Sequence, residues 1–206
     1  MSNRKLILIV LILGIFGGGY LICRLFFIKT ALVPGNAMAN TIVTGDHVLM
    51  VKSFGDIKRG QVVVFQFPED PNTYIKRVVG LPGETVQFRS RTVYINGRAL
   101  REQKVTVAPE DFSGSPLKIV SKEGTGPYPV FYSMPIEQED DNESDTKFGT
   151  HEAFQLPADH YFVMGDNRDN SEDSRYRGPV PRNLIWGTAV LIYYSQHNDR
   201  IFKSIQ

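Results

Sequence analysis

The amino-acid sequence predicts a mainly β protein, with an N-terminal transmembrane helix followed by an antiparallel β-sheet ectodomain. Three observations predict it. Leu6 to Ile22 runs for seventeen residues without a charge, and LFFI at 25–28 carries the apolar stretch past Arg24 towards the roughly 20 residues that a helix needs to cross a bilayer. After Thr41, short β-branched and aromatic runs alternate with turn residues, the pattern of a β-rich domain. Helical periodicity is nearly absent beyond the apolar run.

Arg4 and Lys5 precede the apolar run as a positive n-region would, which raises a cleaved secretory signal as the alternative. The run exceeds the usual core of about 7–15 residues for such a signal. Arg24, large apolar side chains and Lys29 follow it where a small-x-small cleavage site would stand. A retained single-pass anchor at 6–28 is therefore expected, behind a short cytoplasmic N-terminus at 1–5. Cations flank both ends of the run, and the N-terminal amine tips the orientation towards an inside N-terminus.

The segments HVLMVK (47–52), QVVVFQF (61–67), YIKRVVG (74–80) and TVQFRS (85–90) read as strands. TVYINGRAL holds Asn96-Gly97 between apolar residues, and the need for positive φ at both central positions marks a two-residue hairpin. From Val105 to Gln155 proline and glycine are frequent, and in EQEDDNESD, 137–145, six of nine residues are acidic. Such a run reads as a solvated loop. Strand-like segments return with HYFVMG (160–165) and LIWGTAVLIYY (184–194). The expected organisation is the first part of a β core at 29–104, a variable insertion or second lobe at 105–156, and the second part of the core at 157–206.

Composition removes several function classes. The net charge is +1 with both signs spread along the 206 residues, so there is no basic stripe for nucleic acid. The single cysteine, Cys23, lies in the apolar run, which rules out an intrachain disulfide or a cysteine metal cluster. His47, His151, His160 and His197 are scattered, and none has the i, i+4 partner and nearby acid of a zinc protease motif. Neither a metal nor another cofactor is expected.

Three segments could carry chemistry. The first is the turn PGNAMAN around Ala37. The second is TYIKRVVGLPGE, where a strand would place Tyr74, Lys76 and Val78 on one face and Ile75, Arg77 and Val79 on the other. One of the two adjacent cations should then point inward. A lysine aimed into an apolar wall loses solvation, which lowers its pKa towards the range of a general base; an exposed edge lysine whose stem covers the sheet is the plainer alternative. The third is GDNRDNSEDSRYRGPVP, 165–181. Its acids at 166, 169 and 173 lie near Arg168, Arg175 and Arg177, and a loop cross-linked in this way is rigid enough to position a catalytic group.

Taken in this order, the anchor, PGNAMANTI, KRGQVVVF, YIKRVVGLPGE and GDNRDNSEDSR resemble the motifs of the type I signal peptidase family, membrane-anchored serine endopeptidases that remove signal peptides from exported preproteins. The resemblance covers the anchor, residues 31–90 and residues 160–194. It implies a β ectodomain of the signal peptidase type on the outer side of the cell (plasma or inner) membrane, close to lipid. It also implies a serine nucleophile with a lysine general base, preprotein signal peptides as substrate, and no metal or organic cofactor.

Carried onto this chain, the general base falls on Lys76, and Ser171 matches the serine whose hydroxyl orients that lysine. Asp173 and Arg175 match a charged pair that holds the site's shape, with Asp166 in the same supporting shell. Val33, Met38, Ile42, Tyr74 and Ile75 fall on positions that line shallow apolar pockets for small side chains. The oxyanion donor is the backbone N–H of residue 37, and Gly35 stands where some members add a serine hydroxyl. The departure is at the centre: the family has serine before the methionine, and this chain has Ala37, whose methyl group cannot attack a carbonyl. Asn40, where proline is usual, is a second departure and touches only the turn.

An engineered Ser→Ala change, a natural member without activity, and takeover by Thr41 or Ser53 are the three explanations of Ala37. Retention of Lys76, Ser171, Asp173 and Arg175 favours the first. A membrane-tethered binder of extended peptides would use the same pockets, although it gains nothing from a desolvated lysine. A pilus-assembling or scaffold protein would explain the anchor but neither the second nor the third segment.

Overall fold

The computed structural model describes residues 28–52, 55–108, 118–133, 147–149 and 152–205. The expected anchor up to Phe27 and the acidic run at 137–145 lie outside them, as does Ser53. Ile28, expected as the last anchor residue, instead opens the first strand. Among the described residues no helix is long and apolar enough to cross a membrane.

In chain order the strands are β1 (Ile28–Leu32), β2 (His47–Lys52), β3 (Val62–Phe67), β4 (Asp70–Gly80), β5 (Thr85–Arg89), β6 (Thr92–Ile95), β7 (Arg98–Ala99) and β8 (Gln103–Val107). They continue with β9 (Ile119–Glu123), β10 (Pro129–Tyr132), β11 (Phe154–Gln155), β12 (His160–Met164), β13 (Val180–Pro181), β14 (Ile185–Tyr194) and β15 (Lys203–Ser204). One short helix, α1 (Ser174–Arg177), precedes β13. An eight-stranded sheet has the order β1-β2-β14-β3-β4-β12-β13, with β15 on β14. A four-stranded sheet runs β11-β5-β6-β7 and a three-stranded one β10-β8-β9. The pairing of β10 with β8 is parallel, the exception to an otherwise antiparallel set of strand pairs.

The strands form where the sequence predicts them, with one informative extension. β4 starts at Asp70 because Phe67 pairs with Asp70 across a two-residue turn, so β3 and β4 make one tight hairpin. At Asn96-Gly97 the φ angles are 50° and 75°, the positive values that the hairpin turn requires.

Period-two alternation sets the core. In β3, Val62 and Val64 face a cluster with Val33, Met38, Ile42, Val48, Met50, Ile75 and Ile192, whereas Val63 and Phe65 face Val78, Tyr161, Val163, Val180 and Ile185. The large sheet is therefore covered on both faces around β3 and β4. Each fully buried Val, Ile or Phe side chain contributes about 1.5–3 kcal/mol. A third cluster, with Val79, Phe162 and Met164 on one side and Val86, Phe88, Val93 and Leu156 on the other, joins the four-stranded sheet to the large one.

Candidate active site

The turn between β1 and β2 is tied at its base and along its length. Val33 N–H donates to Asp46 O at 2.9 Å and Gly45 N–H to Val33 O at 3.0 Å, closing the loop at its neck. Within it, Ala39 N–H donates to Asn36 O at 3.0 Å and Ile42 N–H to Met38 O at 2.8 Å. Thr44 Oγ1 donates to Asn36 Oδ1 at 2.7 Å. Met38 and Ile42 plug the loop into the core. These bonds leave Ala37 half-buried; its N–H donates to no group among the described residues.

Ala37 and Lys76 line the same cleft of about 490 Å³, together with Val33, Met38, Tyr74 and Ile75. Ile42 does not line it: it is fully buried in the cluster that includes Met38, and so supports the wall without forming its surface. Lys76 sits in mid-strand opposite Val63 and is 4 % exposed. Burial pushes its ammonium pKa down from 10.5 to about 8, and Arg175 adds to that, against the opposing pull of Asp173, Glu172 and Asp166. The amine lies 5.7 Å from the centre of the Tyr74 ring.

Both adjacent cations are buried, where the alternation of a one-sided strand predicted one. The reason is the double cover of the sheet: Arg77 points to the other face and meets Asp166 there. Arg77 Nε and Nη2 donate to the two Asp166 oxygens at 2.7 and 2.6 Å, and both side chains are fully buried. Thr41 Oγ1 donates to Asp166 Oδ2 at 2.5 Å, which ties the turn of Ala37 to the same carboxylate.

The loop after β12 is cross-linked both within itself, where Arg177 Nε donates to Glu172 at 2.8 Å and Arg175 Nη2 to the Arg168 carbonyl at 2.7 Å, and to the rest of the molecule. Of the acids at 166, 169 and 173, only Asp173 pairs with a loop arginine. Its carboxylate accepts from Arg175 Nε at 2.9 Å and from Gly165 N–H at 2.9 Å. Burial alone would raise the pKa of Asp173, but the Arg175 guanidinium, these hydrogen bonds and the Lys76 charge bring it below the ordinary value. Asp169 accepts from Ser133 N–H and Oγ, and Arg168 reaches Glu102 in a buried pair at 2.5 Å. These distant acceptors follow from the parallel bridge of Phe131 with Asn167, which fastens the loop to the three-stranded sheet.

Ser171 is buried, yet its Oγ makes no hydrogen bond among the described residues, to Lys76 or to any other group. It meets the Ala37 turn across Gly165. A Cβ at position 165 would overlap both Ser171 Oγ and the carbonyl oxygen of Ala37, so only glycine permits this approach. Asn167 completes the junction: its N–H donates to Ala37 O at 3.1 Å and its Nδ2 to Asn36 O at 3.2 Å. Gly165 and Asn167 stand inside the quoted segment but carry no local signal of this role. Among the described residues no group of three His, Cys, Asp or Glu side chains could hold a metal ion.

Comparison with known proteins agrees with this arrangement of segments. The family model for signal peptidase, peptidase S26, matches residues 3–194. Signal peptidase I of Pseudomonas aeruginosa is 34% identical over 202 residues, covering 85% of this chain and 68% of that protein. Signal peptidase I P of Bacillus subtilis subsp. natto is 32% identical over 194 residues, covering 92% and 86%. A crystal structure of a signal peptidase I from Enterococcus faecalis V583 shares 29% identity over 66% of this chain and 98% of its own, with a TM-score of 0.40; the fold described above rests on the strand pairings of this chain alone. With nearly its whole length matched, the chain belongs to the signal peptidase family, peptidase S26.

Proposed function

We propose that the activity built into this chain is removal of signal peptides from exported preproteins by a Ser/Lys dyad, and that Ala37 occupies the nucleophile's seat and leaves this copy inactive. The observation that carries the reading is that residue 37 and a desolvated Lys76 line one cleft. With serine at 37, neutral Lys76 takes the hydroxyl proton as oxygen attacks the scissile carbonyl, and the N–H of residue 37 holds the oxyanion. The leaving amine departs with a proton, and Lys76 then activates the water that hydrolyses the acyl-enzyme. Ser171, whose buried hydroxyl is without a partner among the described residues, is the group available to turn towards the lysine and orient it; Asp166, Asp173 and Arg175 hold the frame, and Val33, Met38, Tyr74 and Ile75, backed by Ile42, accept small side chains before the cleaved bond.

A single-pass anchor within the apolar run before Ile28 would hold the ectodomain on the outer side of the cell membrane beside lipid, where signal peptides arrive. The catalytic core is divided into 29–104 and 157–206 around the lobe at 105–156. Ala37 is read as a Ser→Ala change in a site otherwise kept whole. The competing reading, a natural tethered binder of signal peptides, is favoured by Ala37 itself.

The deciding experiment is Ala37→Ser, assayed on a preprotein in detergent or vesicles, with Lys76→Ala on the same background. Cleavage by the first and its loss in the second are expected. A folded but inactive Ala37→Ser protein would count heavily for a natural member without activity or for the binder.

A further inference from the structure

Arg200 lies beyond the residues that the family model matches, and the dyad chemistry makes no use of it. It is only 3 % exposed. Its guanidinium has two sets of acceptors. Nε and Nη2 donate to Asp46 Oδ2 at 3.1 and 2.9 Å. Nη1 donates to the carbonyl of Asn40 at 3.2 Å, and Nη2 also donates to the carbonyl of Thr41 at 2.9 Å.

Asp46 is itself fully buried and holds the neck of the loop. Its carboxylate accepts from Val43 N–H at 2.9 Å, and its backbone carbonyl accepts from Val33 N–H. One planar fork therefore grips the loop at its neck and at the carbonyls three and four positions after Ala37. A planar guanidinium suits this duty because its donors are fixed relative to one another, which an ammonium's are not.

The segment that carries Arg200 is firmly held. Arg200 N–H donates to His197 O at 3.0 Å, and His197 N–H to Ser195 Oγ at 3.0 Å. Beyond it, Phe202 N–H donates to Ile192 O at 2.7 Å and Ile205 N–H to Val190 O at 3.0 Å, while β15 pairs with β14. Inside the turn, the bonds Ile42 N–H to Met38 O and Ala39 N–H to Asn36 O link the gripped carbonyls to residue 37. A displacement at Asn40 and Thr41 must therefore move residue 37 as well.

We infer that Arg200 is a positioning residue of the peptidase site: its fork fixes the turn so that a hydroxyl at position 37 meets Lys76, and it takes no part in the chemistry. The inference rests on the Ser/Lys reading above. Misplacement of a nucleophile by about 1 Å costs on the order of 10²-fold in rate, whereas the cleft walls on β4 do not depend on the fork. Val33 and Met38, by contrast, belong to the gripped turn, so loss of Arg200 should reduce kcat by more than it raises KM.

The test uses the full chain in detergent. On the Ala37→Ser background, Arg200→Met is expected to lower kcat per mole of folded enzyme by roughly 10- to 100-fold, with a clearly smaller change in KM. Folded enzyme is counted from the thermal melt. Arg200→Lys keeps the charge opposite Asp46 but not the fork, so a kcat between those of the parent and Arg200→Met is expected; if Arg200→Met does not fold, this variant decides. Unchanged kcat in the folded variants, or a loss wholly accounted for by unfolded protein, overturns the inference.

A second arm works without catalysis. In a Cys23→Ser background, the thiol of Ala37→Cys is titrated with a small aromatic disulfide. Beside the Lys76 ammonium this thiol should ionise below its ordinary value of about 8.5, and Arg200→Met should return it towards that value. An Ala37→Ser protein that never cleaves would count against the dyad and leave the thiol arm to decide on Arg200. There, a return supports the positioning role and an unmoved titration refutes it.

Discussion

Burial brings the Lys76 ammonium from 10.5 down to about 8, which supplies a base for the reaction at a cost in stability, and both rate and stability should rise with pH. The base is competent only when neutral, so on the Ala37→Ser background kcat/KM should climb as pH rises through about 8. A climb only near pH 10 would argue against a desolvated base. For stability, the unfolded chain binds a proton that the folded chain lacks between pH 8 and 10.5, so stability rises with pH across that window. Below it, the folded protein carries a charge that its surroundings disfavour, at a cost on the order of 1–3 kcal/mol. Lys76→Met should therefore unfold at higher urea at pH 6.5 than the parent, with the gain gone above about pH 10.5. Equal urea midpoints at pH 6.5 would show that Asp173 and its neighbours fully offset the burial.

Among the elements, the passage from β12 through the following loop into α1 carries the tightest constraint. Gly165 lets the loop approach the Ala37 turn so closely that Ser171 Oγ and the Ala37 carbonyl oxygen both border the space a side chain at 165 would need. Gly165→Ala should separate them, destabilising the fold by about 1–3 kcal/mol, the usual cost of overpacking. On the Ala37→Ser background it should also lower kcat more than KM changes, read from a full saturation curve. The strands themselves were legible because burial on one face leaves a period of two in the sequence, as at 47–52, and burial on both faces leaves a short continuous apolar run, as at 160–164. The partners of the charged residues were not legible. Arg77 and Asp166 are 89 positions apart and Arg200 and Asp46 are 154 apart, and a pairing at such distance leaves no trace in local spacing. For the same reason proximity along the chain misled, setting Asp166 beside Arg168 when its guanidinium partner lies on β4.

At the scale of the whole molecule, the large and the three-stranded sheets meet, among the described residues, at polar points rather than through a shared apolar cluster. Phe131 N–H donates to Asp166 O at 2.7 Å and Arg168 N–H to Phe131 O at 2.9 Å, and the buried Arg168–Glu102 pair stands beside them. Glu102→Ala leaves a buried guanidinium without its carboxylate and should cost about 3–5 kcal/mol. Hydrogen exchange should show the loss first in β8, β10 and the loop at 165–170, with β3 and β4 still protected. Uniform loss across all strands would mean that the two sheets unfold as one unit. The position of β14 has a further consequence, for synthesis. It lies between β2 and β3, so two strands made early cannot join until residues 185–194 have been made. A ribosome can therefore deliver most of this chain without the large sheet being able to close. The sheet must form late, through distant pairings of the kind that fold in milliseconds to seconds, and until then the edges of β2 and β3 stand open to other chains.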